Sequence, residues 1–87
     1  MTYVITFFSH FGAISFNKAM KARGFASKMM PVPRAVSSSC GTGVRIEGES
    51  DISPFADEEV DRIFLKEGDV YSLVWQNHGS AGEERVC

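Results

Sequence analysis

An α+β fold of two layers, with helices packed on one antiparallel sheet in the order β-α-β-β-α-β, is predicted by three features of this 87-residue chain. Tyr3-Val4-Ile5-Thr6-Phe7-Phe8 is a β-branched and aromatic run, the mark of a buried strand. Ala13, Ile14, Phe16, Ala19 and Met20 then recur at helical spacing. Beyond them, strand-like and helix-like segments alternate once more, which matches the ferredoxin-like split pattern.

Each element has its own local cause. Ser9 can cap a helix over about 10–23, with Lys18, Lys21 and Arg23 toward its C-terminal end and Gly24 as the residue that stops it. Phe25 to Pro33 is extended, and Pro31 and Pro33 make it an edge strand or a strand running into a loop. The loop from Arg34 leads into the alternating strand Gly43-Val44-Arg45-Ile46-Glu47, which pairs back as a hairpin. Pro54 opens a second helix capped by Ser53, with Asp57, Glu58, Glu59 and Asp61 in its early turns, Val60, Ile63 and Phe64 as its apolar stripe, and Gly68 at its end. Val70 to Gln76 is the last strand, with Tyr71, Leu73 and Trp75 on one parity. Residues 1–77 read as a single α/β domain and 78–87 as a flexible C-terminal tail. The expected core is Ile5, Phe7, Ile14, Met20, Val44, Ile46, Ile63, Phe64, Leu73 and Trp75.

Composition narrows the class. The hydrophobic fraction of 44% is enough for a folded domain and excludes a disordered tail. No apolar stretch is long enough to cross a membrane, and no basic residue precedes the first apolar run, so a cytoplasmic location is expected. Two distant cysteines, Cys40 and Cys87, give neither a disulfide framework nor a CxxC motif. With His10 and His78 they form no zinc spacing, so neither a metal nor another cofactor is expected.

Charge is divided along the chain. From Met1 to Ile46 there are no acids, but there are six bases: Lys18, Lys21, Arg23, Lys28, Arg34 and Arg45. All the acids follow, opposed only by Arg62, Lys66 and Arg85. Two neighbouring helices of opposite charge would complement each other, and Cys40 falls in the positive half, which favours its thiolate. The bases are scattered without aromatic interleaving, which argues against nucleic acid as a partner.

Cys40 lies in Ser37-Ser38-Ser39-Cys40-Gly41-Thr42-Gly43, six residues after Arg34. Hydroxyls, glycine-rich backbone N–H groups and a nearby guanidinium are what a reactive thiolate needs. The expected topology gathers the exit of the first strand at Ser9–His10, the loop with Cys40 and the end of the second helix at Lys66–Gly68 at one end of the sheet. His10 would then serve as proton acceptor for Cys40, and the N-terminus of the first helix would lower the thiol pKa below its usual value of about 8.5. A phosphatase cradle is excluded, because Arg45 follows Cys40 too closely to close its loop and no Asp stands nearby as general acid.

The start at Ser9-His10 and the segment Pro31-Val32-Pro33-Arg34-Ala35-Val36-Ser37-Ser38-Ser39-Cys40-Gly41-Thr42-Gly43-Val44-Arg45 resemble the small bacterial selenium/sulfur carrier protein-like family over nearly the whole chain. Only the tail, with Cys87 after Glu83 and Glu84, departs from its pattern. The resemblance implies that Cys40 is the carrier position and that Arg34, Ser37, Ser38, Ser39 and Gly41 are its binding surroundings. It implies a carrier more than a true enzyme, taking sulfur or selenium as a persulfide or perselenide from a donor such as a cysteine desulfurase and passing it to an acceptor protein. Two other readings stand beside it. One is a ferredoxin-like interaction module whose opposed charges build a homodimer, and the other is a thiol enzyme with Cys40 as nucleophile and His10 as base.

Overall fold

The computed structural model describes residues 1–32, 41–48 and 52–77. Thr2–Phe7 forms β1, His10–Ala22 forms α1, Ala26–Pro31 forms β2 and Thr42–Glu47 forms β3. A single 3-10 turn at Ser53–Phe55 precedes β4, Val60–Glu67, and β5, Val70–Gln76. The sheet is ordered β2-β3-β1-β4-β5, and every neighbouring pair is antiparallel. The α+β class and the first split β-α-β unit are as the sequence predicts, because β3 lies between the parallel strands β1 and β2.

The second half departs from the expected ferredoxin-like order. Where a second helix was expected, the chain forms one 3-10 turn and then a strand. Val60, Ile63 and Phe64 do have helical spacing, but the same residues also satisfy a strand with a bulge. Thr6 pairs with Arg62 and Phe7 with Val60, so Asp61 is the extra residue. Val60 and Ile63 consequently share the core face, with Leu65 packed beside them, while Phe64 stays outside that cluster. Gly68 does not end a helix. With Asp69 it makes a two-residue turn between Glu67 and Val70, and its φ of +62° is what the first position of a type II′ hairpin demands.

β5 has a bulge of its own. Ile63 faces Trp75 and Phe64 faces Leu73, which leaves Val74 over and breaks the parity expected for Leu73 and Trp75. Trp75 packs on the core while Leu73 is 49% exposed. Leu73 and Phe64 are therefore removed from the expected core, and Ile14 is only partly buried.

α1 covers one face of the sheet. Ala13, Phe16 and Met20 meet Tyr3, Ile5 and Phe7 of β1, Val44 and Ile46 of β3, and Val60 and Ile63 of β4. The Phe7 and Phe16 rings pack 5.3 Å apart. Ile52, fully buried just before the 3-10 turn, joins this cluster and takes over part of what a second helix would have covered. Phe55 continues the cover, edge-on to Phe25 at 5.7 Å and beneath the Arg23 guanidinium at 4.8 Å. No helix among the described residues is long and apolar enough to cross a membrane.

Candidate functional site

Strand direction decides which loops can share chemistry. β1 ends at Phe7, so Ser9 and His10 lie at one end of the sheet. β2 runs toward that end and β3 starts from it, with Pro31 opposite Thr42 and the Val32 N–H donating to the Gly41 carbonyl at 2.9 Å. Val32 and Gly41 thus both lie at the His10 end of the sheet. Arg34, Ser37, Ser38, Ser39 and Cys40 lie outside the described residues, as do His78 and Cys87.

Lys66 and Gly68 are not at this end, contrary to expectation. β4 runs antiparallel to β1, and Lys66 pairs with Thr2, so its end and Gly68 lie at the opposite rim. The start of β4 takes their place, with Glu59 and Val60 beside Phe7 and Phe8.

His10 is exposed on the first turn of α1. Its Nδ1 lies 3.1 Å from Thr42 Oγ1, two residues past Cys40 in sequence. Nδ1 either donates to the hydroxyl or accepts from it, according to the ring tautomer. Two glycines shape the adjoining backbone. Gly41 has φ +78°, which a residue with a Cβ rarely adopts, and at Gly43 a Cβ would sit 2.8 Å from the Ile5 carbonyl oxygen.

Sequence reasoning missed Glu59. Ser9 caps α1 by accepting from the Gly12 N–H at 3.0 Å, and its hydroxyl donates to Glu59 Oε2 at 2.7 Å. The Phe8 N–H donates to the Glu59 carbonyl at 3.0 Å, and the Glu59 N–H to Asp57 Oδ1 at 2.9 Å. A carboxylate therefore stands at the positive end of α1. Assigned to an early turn of a second helix, Glu59 had no reason to reach the first; the only available hint was Gly12, a glycine inside a helix with no turn to make.

This placement changes the electrostatic picture. The expected pairing of two oppositely charged helices is not formed, since a strand takes the place of the second helix; the contact made by the acidic half at this end is Glu59 on the Ser9 hydroxyl at the start of α1. Lys18, Lys21 and Arg23 sit toward the other end of α1, away from His10. The positive end of the α1 dipole is thus met by the chain's own anion.

The described residues contain no group of three or more His, Cys, Asp or Glu able to hold a metal ion. A groove of about 290 Å³ lined by Ala26, Ser27, Lys28, Arg45 and Glu47 lies on the β2–β3 side, toward the rim opposite His10. Its exposed Arg45–Glu47 ion pair closes at 2.8 Å.

Residues 2–68 match the model of the family described as Putative Se/S carrier protein-like. No curated protein and no solved structure matches the chain.

Proposed function

The chain belongs to the Se/S carrier protein-like family, and from that membership we propose that it carries sulfur or selenium on Cys40. The observation that supports this most directly is the His10–Thr42 contact, because it sets an imidazole against the strand that begins two residues after Cys40.

The chemistry is thiol exchange, without a cofactor. His10 accepts the Cys40 thiol proton, and the thiolate attacks the outer sulfur of a donor's persulfide. A Cys40–sulfur bond forms as the donor's sulfur–sulfur bond breaks, and the donor leaves as its own thiolate. The step is redox-neutral and leaves a persulfide on Cys40, while a perselenide forms in the same way from a selenium donor. An acceptor thiolate then repeats the attack on the outer atom and restores Cys40. Arg34, with Ser37, Ser38, Ser39 and the Gly41 N–H, steadies the anion at each stage. The donor fits a cysteine desulfurase, and the acceptor is a protein with a thiol or another nucleophile.

Alkylation kinetics test this reading. Cys40 is expected to react with iodoacetamide near neutral pH faster than Cys87, whose neighbours Glu83 and Glu84 disfavour a thiolate. A Cys40 no faster than Cys87 would remove the carrier mechanism's basis and favour the interaction-module reading.

A further inference from the structure

We infer that Glu59 is the positioning residue for His10, an inference that rests on the reading of His10 as the proton acceptor of Cys40. The His10 ring is exposed, so packing does not fix its direction. Its orientation comes from two things, the Thr42 hydroxyl at 3.1 Å and the path of the first turn of α1.

That first turn is held from β4. Glu59 uses its carbonyl on the Phe8 N–H and its carboxylate on the Ser9 hydroxyl, at 3.0 and 2.7 Å. These two bonds grip the residues immediately before His10. The Ser9 hydroxyl passes the constraint forward, accepting from the Gly12 N–H two residues beyond His10. His10 is therefore bracketed by groups tied to one residue, Phe8 through the Glu59 backbone and Ser9 through its side chain. Gly12 supplies the clearance, since a Cβ there would lie 2.5 Å from Glu59 Cβ and 2.9 Å from its Oε2.

The carboxylate has a second consequence. It fills the place at the start of α1 where an incoming anion would otherwise be attracted. An anionic persulfide or perselenide donor is thereby directed away from the helix end and left to the loop that contains Cys40. Glu59 orients the proton acceptor and keeps the neighbouring anion position closed.

The test follows the His10 ring nitrogens by ¹⁵N NMR and the Cys40 alkylation rate against pH, in the full chain. Glu59→Ala should move the His10 signals toward those of a free, tautomer-averaged imidazole, as Thr42→Val should, and slow Cys40 by roughly tenfold. Glu59→Gln, which still accepts from Ser9, should keep the His10 signals and most of the rate. Ser9→Gly preserves a tolerated cap residue while removing the link, and should reproduce Glu59→Ala even if that variant folds poorly. Unchanged His10 signals in Ser9→Gly and Glu59→Ala would overturn the inference. A wild-type Cys40 that reacts no faster than Cys87 would instead overturn the carrier reading, while the His10 signals still report on Glu59.

Discussion

Gly12 and Glu59 form a matched pair across the two halves of the chain: the glycine leaves the space that the glutamate fills. A Cβ at position 12 would come within 2.5 Å of Glu59 Cβ, a distance that forces something to shift. The sharing of space also explains why a helix tolerates glycine in its first turn, where alanine would ordinarily be the better residue.

Gly12→Ala is therefore expected to destabilise the protein by about 1–3 kcal/mol, despite the gain in helix propensity. Glu59→Gly in the same chain should relieve much of that loss, because it removes the opposing Cβ. Denaturant midpoints of the two single variants and the double variant would show the coupling, and simple additivity would contradict the pairing.

Phe7 and Ile63 are both fully buried, facing α1 from neighbouring strands. Phe7→Ala should cost about 3–5 kcal/mol and Ile63→Ala about 2–5 kcal/mol. Leu73→Ala, at a half-exposed position outside the core cluster, should change stability by no more than about 0.5 kcal/mol. Thermal melts of the three variants would check the assignment of faces, and a Leu73→Ala loss equal to that of Ile63→Ala would refute it.

Asp61 is the extra residue of the β4 bulge. It is 2% exposed, and its Oδ1 has no hydrogen-bond partner among the described residues. A buried acceptor left without a donor costs about 1–3 kcal/mol. Asp61→Asn, of equal size and without a carboxylate to desolvate, should leave stability unchanged or raise it by about 1 kcal/mol. A clear loss in chemical denaturation would show that this carboxylate is held by a donor.

Arg34→Ala should slow Cys40 alkylation at neutral pH while the melting temperature stays close to wild type, because a guanidinium near a thiolate favours the charged form. An unchanged alkylation rate would remove Arg34 from the proposed surroundings of Cys40.

The first half of the fold was readable in the sequence because its signals are local and agree with one another. Ser9 caps, the apolar residues of α1 recur at one period, and Pro31 ends a strand at the sheet's edge. The second half was misread where two periods coincide. Val60, Ile63 and Phe64 fit a helical stripe, and the bulge at Asp61 that reconciles Val60 and Ile63 with one strand face depends on pairing with β1. Gly68-Asp69 between two apolar runs was the better clue, since Gly-Asp is a hairpin turn as well as a helix ending. At the candidate site, His10 and its place near the hairpin followed from topology. Glu59 did not, because its contact with Ser9 spans fifty residues and depends on the strand that was mistaken for a helix.

The central claim, that Cys40 carries the sulfur atom, is tested most directly by intact-mass spectrometry after incubation with a cysteine desulfurase and cysteine. Wild-type protein is expected to gain the mass of one sulfur atom, lose it on treatment with a thiol reductant, and show the added atom on the Cys40 peptide. Cys87→Ser should gain it equally, and Cys40→Ser should gain none. Sulfur found on Cys87 alone, or a wild-type mass that does not change while the desulfurase turns over, would contradict the account.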